Sequence, residues 1–339
     1  MKNFVVGVLG AGFGERVVIP CINYVDGIRL KYFYCRNRKN IKNKKNLKFY
    51  VNDYKKILKD KEINLIFIET PPYTHKKFLI DSIKYKKNVI CEKPLASNLK
   101  DINIMSKVAK NRKNFIYVNH QLRFDPNIIK LRELIRKRVI GKINYINVEY
   151  HTNMIDEKNV NNWWFNKNQG GGQVLAIGSH LIDLLIFLNG DIININSLKG
   201  NFLKYKNNKR HLWKKKIESF FTLICKFKNG SIGSVNSSCV SSSDSGLNIT
   251  VSGEKGTIKI LNFEKLIIEN SEGKLKRLHQ KDKLKNVPIV GMNPWRSSMV
   301  RFLKYIVKNS NNKKNLLCAD ILQAKKTQII MNKILNNKG

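Results

Sequence analysis

Up to about Gly141, short apolar runs alternate with amphipathic segments, and this alternation constrains the fold more than any other feature. It begins with the apolar run FVVGVLG, a glycine-rich turn, and a segment from Arg16 to Tyr24 that is predicted to be a helix. Repeated succession of apolar run, turn and helix is typical of βαβ units around a parallel sheet. We therefore predict a doubly wound α/β Rossmann domain in the first part of the chain.

The pattern changes near Gly141, after which the apolar runs are longer and alternate more strictly. Runs such as FFTLICKF, LNITVSG and GTIKIL predict a large, mostly antiparallel open sheet with one face covered. The segments WRSSMVRFLKYIVK and DILQAKKTQIIMNKIL predict two closing helices. We expect a Rossmann domain over residues 1–122 and an α+β domain over residues 123–339, with the C-terminal helices able to pack back on the first domain.

The formal net charge of +40, from 64 lysines and arginines against 24 acids, raises the question of nucleic-acid binding. The basic residues are mostly lysines, spread from end to end without the interleaved aromatics of a single-strand platform. Lys, Asn and Ile are residues that AT-rich codons favour, so base composition accounts for the excess. We expect weak attraction of anionic substrates and no nucleic-acid partner.

The six cysteines are scattered, with no CxxC pair and no histidine at metal-ligand spacing. This distribution predicts a reduced, cytoplasmic chain without a metal site. A hydrophobic fraction of 42% fits a globular protein. No stretch approaches the length needed to span a membrane, so no membrane partner is expected.

A dinucleotide fingerprint follows the first predicted strand. Gly10 permits a tight turn, Gly12 lets the backbone approach a pyrophosphate, and the following helix offers free amides at its N-terminus. The pattern is imperfect, because Glu15 occupies the third glycine position while Gly14 lies one residue early. The alternative is an ordinary strand-to-helix turn.

The second predicted strand ends in CRNRKN, where an NAD site usually presents a carboxylate to the ribose 2′-hydroxyl. No acid is present there. Arg36, with Arg38 nearby, could instead pair with a 2′-phosphate. We therefore expect NADP or NAD as cofactor, with NADP favoured.

In the segment GGGQVLAIGSHLID, three glycines from Gly170 to Gly172 precede His180. The glycines could let the backbone lie against a ligand. Ser179 is a good N-cap, which predicts that a helix starts at His180, and a histidine at a helix N-terminus tends to stay neutral. The alternative is a structural histidine capping a half-buried helix.

Three further segments, ETPPYTH, CEKPLA and HQLRFDP, occur in order between the glycine turn and the triple glycine. Together these five segments resemble the Gfo/Idh/MocA family of NAD(P)-dependent oxidoreductases, nearly from end to end. The resemblance implies reversible hydride transfer between nicotinamide and a carbinol or carbonyl carbon of a sugar, nucleotide-linked sugar or polyol. Lys93 would polarise the substrate oxygen and His180 would exchange the proton.

The resemblance also implies binding residues. The implied cofactor contacts are Gly10, Gly12, Phe13, Gly14, Arg36, Thr70, Pro71, His75, Glu92 and Lys93. The implied substrate contacts are Lys93, Arg123, Trp164 and His180. Besides His180, three of these have structural alternatives: His75 as a surface residue at a helix start, Arg123 as a salt-bridge residue, and Trp164 as a packing residue.

One position departs from the family pattern. Many relatives carry an aspartate four residues before the histidine, and this chain has Ala176. Asp183 could buttress the imidazole or only add charge to the helix. The departure leaves a second hypothesis, a cofactor-binding sensor or scaffold without turnover. The resemblance implies that the domain over residues 1–122 binds the dinucleotide and that the domain over residues 123–339 serves substrate binding and oligomerisation. It also implies a homodimer or homotetramer, and places substrate specificity in loops such as Asn153 to Asn168.

Overall fold

The computed structural model describes residues 3–110, 112–153, 163–203, 217–278, 284, 294–309 and 317–337. The chain divides into two compact units, Met1–Asp125 with Lys283–Lys325, and Pro126–Asp282 with Lys326–Gly339. The break between Asp125 and Pro126 falls three residues after the expected boundary at residue 122. The segment Lys283–Lys325, near the C-terminus, belongs to the first unit. Part of the expected specificity loop, residues 154–162, lies outside the described residues.

The described strands, in chain order, are β1 (Phe4–Leu9), β2 (Ile28–Tyr34), β3 (Tyr50–Val51), β4 (Leu65–Ile68), β5 (Asn88–Cys91), β6 (Ile116–Val118), β7 (Ile143–His151), β8 (Ile192–Gly200), β9 (Phe220–Phe227), β10 (Ile232–Ser238), β11 (Gly246–Gly253), β12 (Gly256–Leu261), β13 (Lys265–Asn270), β14 (Leu275–Leu278) and β15 (Ala319–Asp320). The α-helices are α1 (Ile19–Ile22), α2 (Tyr54–Lys59), α3 (Pro72–Lys84), α4 (Leu99–Ala109), α5 (Pro126–Arg136), α6 (Ser179–Asn189), α7 (Pro294–Asn309) and α8 (Ile321–Asn336).

The first unit contains a sheet of order β15-β6-β5-β4-β1-β2-β3, in which every neighbouring pair except β15 and β6 is parallel. Strands β1, β4 and β5 are buried along their whole length, because helices cover both faces of such a sheet. The predicted Rossmann domain is confirmed. Strand β6 covers only part of the run FIYVNHQ, since it ends at Val118 and a 3₁₀-helix, Gln121–Phe124, follows.

The second unit contains a sheet of order β14-β13-β12-β11-β7-β10-β9-β8. Only the β7 and β10 pair is parallel, so the predicted, mostly antiparallel sheet is confirmed. Helix α6 lies against β7 and β10 on one face. The alternation of buried and exposed residues along β9 follows from that cover on one side.

The helical segment Lys167–Asn189 is long and apolar enough, by length and composition, to cross a membrane. The expectation that no stretch approaches this length is therefore wrong. In the structure 94% of the most apolar window of this segment is buried inside the protein. That is how the core helix of a globular unit packs, and its composition reflects contact with the covered sheet.

Parallel pairing aligns the ends of the first unit's strands. Leu9 is in register with both Tyr34 and Ile68, Ile68 pairs with Cys91, and Cys91 pairs with Val118. The residues that follow each strand therefore form one row at the carboxyl edge of the sheet. This edge is where doubly wound folds bind ligands.

Candidate functional site

The glycine turn follows β1 at the carboxyl edge. Gly10 has φ +119°, and a Cβ there would lie 2.3 Å from the backbone oxygen of Glu69. At Gly12 a Cβ would meet no described atom within 4 Å. Gly10 is thus required by the turn itself, whereas the bare face of Gly12 leaves the backbone open to an approaching ligand.

The first helix begins with a wide turn, the π-helix Gly14–Val18, which continues into α1. A Cβ on Gly14 would lie 3.0 Å from Val8 Cγ1 and 3.1 Å from Glu69 Cβ. Gly14 therefore provides the close helix–strand packing that the third glycine of the fingerprint provides. This packing accounts for the glycine that the sequence places one residue early. Phe13, the residue before this helix, packs partly buried against the apolar core.

Glu15, at the usual third glycine position, is buried and holds the loop that follows β2. Its carboxylate accepts hydrogen bonds from the backbone N–H groups of Lys42 and Asn43 at 3.0 and 2.8 Å, and from Asn46 Nδ2 at 3.2 Å. Arg36 and Arg38 lie exposed in the stretch between β2 and this loop. Because its oxygens already accept these bonds, Glu15 is not a free acceptor for a ribose hydroxyl.

The turn after β4 contains Thr70 and Pro71 and leads into α3. Thr74 Oγ1 lies 2.6 Å from Thr70 Oγ1, and Pro71 is the N-cap residue of the helix. His75 is fully buried, so its alternative as a surface residue is wrong. Its Nε2 lies 2.6 Å from the Thr70 oxygen, and its Nδ1 lies 3.1 Å from the Pro94 oxygen.

His75 therefore links the turn after β4 to the segment after β5. Burial lowers the pKa of His75 to about 4, although hydrogen bonds to the oxygens of Thr70, Leu95 and Pro94 favour the imidazolium. A neutral ring carries one N–H and donates to one of the two turns at a time, whereas the imidazolium donates to both. The buried ring therefore lies between the two turns and contacts both of them.

Lys93 and Glu92 follow β5. The Glu92 carboxylate accepts hydrogen bonds from Asn119 Nδ2 and, at 3.2 Å, from the Lys93 backbone N–H. Burial raises the pKa of Glu92 to about 7, against the opposing effects of Lys93 and Asn119. Desolvation lowers the pKa of Lys93, and the charges of Glu92 and Glu69 oppose this shift. The peptide bond from Lys93 to Pro94 is cis.

Glu69, which sequence reasoning did not single out, lies in the same group. It follows β4, donates its backbone N–H to the Leu9 oxygen at 2.7 Å, and is 4% exposed. Neither carboxyl oxygen has a hydrogen-bond partner in the described part of the chain. Its place in the quoted segment ETPPYTH, directly after an apolar run, was the available signal.

In the second unit, His180 and Ala176 lie on one continuous helical segment. A π-helix, Val174–Gly178, runs directly into α6. Ser179 has helical backbone angles, φ −54° and ψ −40°, so the prediction that it caps a helix starting at His180 is wrong. His180 lies within the continuous helical segment and is 1% exposed, so it is not at the helix N-terminus where the sequence placed it. Ala176 and Asp183 are buried too.

The triple glycine contacts the protein's own atoms. Gly170 adopts a left-handed conformation with φ +86°. A Cβ on Gly171 would lie 2.1 Å from the Trp164 backbone oxygen, and one on Gly172, with φ +101°, would lie 2.3 Å from Glu218 Oε1. These glycines were expected to let the backbone lie against a ligand. At Gly171 and Gly172 the space that a Cβ would occupy is instead filled by the protein's own atoms.

Glu218 is a second residue that sequence reasoning missed. Its Oε1 accepts a 3.0 Å hydrogen bond from the Val174 N–H, and its backbone oxygen accepts one of 2.9 Å from Gln173. The helix segment that leads to His180 thus has its first N–H groups satisfied by a residue just before β9. No local sequence pattern links positions 174 and 218.

The two remaining predicted substrate residues make internal contacts. Arg123 is 1% exposed and donates from Nη1 to Gln323 Oε1 at 3.0 Å and to the Leu317 oxygen at 3.3 Å. Trp164 lies in a short 3₁₀-helix, with its ring 4.8 Å from that of Phe165. The ring contact of Trp164 agrees with its alternative as a packing residue. The two Arg123 acceptors named here are neutral oxygens, so they give Arg123 structural hydrogen bonds and are not ion pairs.

Two family patterns match the chain. The pattern of the oxidoreductase family with an NAD-binding Rossmann fold matches residues 4–120, and the GFO/IDH/MocA C-terminal domain matches residues 128–259. Glucose-fructose oxidoreductase domain-containing protein 1 of Xenopus tropicalis is 28% identical over 203 residues, 59% of this chain and 51% of that protein. The chain spans about half the length of the vertebrate relatives of this name that it matches.

Solved structures share the fold. Levoglucosan dehydrogenase in complex with NADH gives a TM-score of 0.81 at 18% identity, covering 98% of this chain and 96% of that one. An oxidoreductase from Agrobacterium radiobacter, solved with NAD+, L-tartaric acid and magnesium, gives 0.83 at 17% identity, covering 99% and 97%. These likenesses show the fold, and with the two family patterns they confirm the resemblance inferred from the sequence.

Proposed function

The chain belongs to the Gfo/Idh/MocA family of NAD-binding oxidoreductases, and from this premise we propose that it transfers a hydride between nicotinamide and a carbinol or carbonyl carbon of a sugar, nucleotide-linked sugar or polyol. The observation that carries the proposal is Lys93, a lysine on the carboxyl edge of the parallel sheet with a buried carboxylate at its base. The names of the relatives and neighbours support a carbohydrate-like substrate.

The residues fit a dinucleotide. The open face of Gly12 and the amides of the following helix suit a pyrophosphate. Glu92 and Thr70 stand on the same edge and supply polar groups toward a ribose. A bound nicotinamide supplies the hydride acceptor or donor.

In the oxidation direction, the carbinol carbon loses a hydride and its hydroxyl loses a proton, leaving a carbonyl. We assign the proton to His180 Nε2 or Nδ1 and the polarisation of the oxygen to the ammonium of Lys93. In the reduction direction, the carbonyl carbon receives the hydride and its oxygen receives the proton. Lys93 belongs to the first unit and His180 to the second.

The test is turnover with NADP(H) and NAD(H) against a panel of sugars, nucleotide sugars and polyols, followed by nicotinamide absorbance. Lys93→Ala and His180→Ala should each lower kcat/KM by at least about 100-fold, the usual scale for removing an acid–base or electrostatic group. Lys100→Ala, which removes an exposed lysine, is the matched control. Activity that survives both substitutions would contradict the assignment.

For the cofactor we propose NADP(H). Arg36 and Arg38 are exposed after β2, and the nearby acid Glu15 is occupied by the loop backbone. A guanidinium suits a 2′-phosphate better than a 2′-hydroxyl. The expected result is tighter binding of NADPH than NADH, measured by fluorescence titration, and loss of that difference in Arg36→Ala. Equal affinities in the unmodified protein would favour NAD(H).

Ala176 supports the second candidate function, a cofactor-binding sensor that does not turn over. An alanine can neither orient an imidazole nor hold a substrate hydroxyl. Tight cofactor binding without hydride transfer to any member of the panel would favour the sensor. Ala176→Asp then gives a direct comparison, since a gain of turnover would mark the missing acid as the cause.

We further propose a cytoplasmic homodimer or homotetramer. The six cysteines are buried and free, as suits a reducing compartment. Exposed apolar side chains on the sheet of the second unit support self-association: Tyr145, Leu198, Ile224 and Ile232. Sedimentation velocity would test this, and retention on heparin at physiological salt would favour a nucleic-acid partner instead.

A further inference from the structure

Glu69 is a buried acid that the proposed reaction does not use. It is 4% exposed, and neither Oε1 nor Oε2 accepts a hydrogen bond from the described residues. Its Cβ and Cγ lie 3.1 and 3.3 Å from where a Cβ on Gly14 would be, so the start of the first helix encloses the side chain. An ionised carboxylate enclosed in this way would cost several kcal/mol without hydrogen bonds.

The charges around Glu69 come from the neighbouring strand. Ile68 pairs with Cys91 in parallel register, which places Glu69 beside Glu92, and strands so paired lie about 4.8 Å apart. Lys93 follows directly. On the side of the glycine turn, Glu15 directs its carboxylate away, to the loop backbone.

The two carboxyls differ in their donors. Glu92 accepts bonds from Asn119 Nδ2 and the Lys93 N–H, and these stabilise a negative charge on it. Glu69 has neither. Burial, and then the charge of Glu92, raise the pKa of Glu69 well above its ordinary value, while Lys93 lowers it. Ionising both of two adjacent carboxyls that share the Lys93 ammonium costs free energy. The proton therefore stays on Glu69, the carboxyl that lacks these donors.

We propose that Glu69 is a positioning residue of the Lys93 site and is held as the neutral acid, so that it adds no negative charge beside the Lys93 ammonium. This inference rests on the proposed function. A neutral Glu69 leaves the ammonium with a stronger electrostatic attraction for a substrate oxygen, which the ammonium polarises. When Glu69 loses its proton at alkaline pH, the added negative charge weakens that polarisation.

Infrared difference spectroscopy tests where the proton is. In the full-length protein at pH 8, above the pKa of about 7 of Glu92, the spectrum should contain the carbonyl stretch of a protonated carboxylic acid, and Glu69→Gln should remove this component. It should persist in Glu272→Gln, which alters an exposed carboxylate of the second unit. A band that survives Glu69→Gln and vanishes in Glu92→Gln would place the proton on Glu92 and overturn the proposal.

The pH profile of kcat/KM tests what the proton does. Glutamine is permanently neutral and nearly the same shape, so Glu69→Gln should lose one ionisation from the alkaline side of the profile. An alkaline limb identical to that of the unmodified protein would overturn the role toward Lys93. The infrared result needs no substrate. Absence of turnover in the unmodified protein would therefore count against the proposed function, and the band would still decide the position of the proton.

Discussion

The carboxylate of Glu218 accepts a 3.0 Å hydrogen bond from the Val174 N–H and so caps the helical segment that carries His180. Gly172 packs against the same carboxylate. The triple-glycine segment, which the sequence suggested as a ligand-binding loop, thus supports the start of this helical segment. The proton transfer proposed for His180 depends on the position of its ring, and this cap supports the helical segment on which the ring lies.

Removing the cap should destabilise the protein. Glu218→Ala deletes the acceptor and leaves the buried Val174 N–H without its partner, at a cost of about 1–3 kcal/mol in the free energy of unfolding. Denaturant titration measures this. Glu272→Ala removes an exposed carboxylate and should change stability by less than about 0.5 kcal/mol. Equal effects of the two substitutions would refute the capping role.

The glycine turn gives a matched pair of substitutions. Gly12→Ala should fold normally and bind cofactor weakly, because its Cβ enters open space where the proposed pyrophosphate would approach. Gly10→Ala should lower the free energy of unfolding by at least about 1–2 kcal/mol, since φ is +119° and the Cβ would meet the Glu69 backbone. Thermal unfolding with and without NADPH distinguishes them. An unaltered cofactor-induced rise in Tm for Gly12→Ala would speak against pyrophosphate binding there.

Glu15 should control the loop after β2. In Glu15→Gln, the amide keeps one acceptor oxygen, but its NH₂ replaces the other and faces the backbone donor of either Lys42 or Asn43. We expect about 1–3 kcal/mol of lost stability and a larger loss of affinity for NADPH than for NADH. Isothermal titration with both cofactors measures the second effect. An equal loss of affinity for NADPH and NADH would show that Glu15 does not affect the binding of the 2′-phosphate.

Burial of His75 predicts a pH dependence of stability. Its pKa in the folded protein is about 4, below the ordinary value of 6.5, so the unfolded chain binds a proton that the folded chain does not. The free energy of unfolding should therefore fall as the pH drops from 6.5 to about 4, by up to about 3 kcal/mol from this group. Denaturant curves in this range, compared with those of His75→Asn, measure it. A slope that His75→Asn leaves unchanged would assign the effect to other groups.

The wrongly predicted start of α6 shows why local rules fail at this site. Ser179 before an apolar run is a strong N-cap signal, yet the helical turns begin at Gln173. The donors at the earlier start find their acceptor in Glu218, which is distant in sequence. A local preference of about 1 kcal/mol gives way when a tertiary contact satisfies buried donors.

Strand prediction failed where periodicity is absent. Strand β15 has two residues and exists through its pairing with β6. Strand β8 is mostly exposed, so its sequence carries little apolar alternation. By contrast β1, β4 and β5 lie in continuous apolar runs, and buried parallel strands require such runs.

The sequence by itself determined the parallel sheet of the first unit, the mostly antiparallel sheet of the second, and the positions of the glycine turn, Lys93 and His180 along the chain. These depend on hydrophobic period and short motifs, which are local. The tertiary structure alone decided that Glu15 holds the loop after β2, that Glu218 caps the helix segment, and that Glu69 is enclosed beside Glu92. Such partners are brought together by strand register and burial, and the cost of enclosing a charge without a donor exists only once the chain has folded.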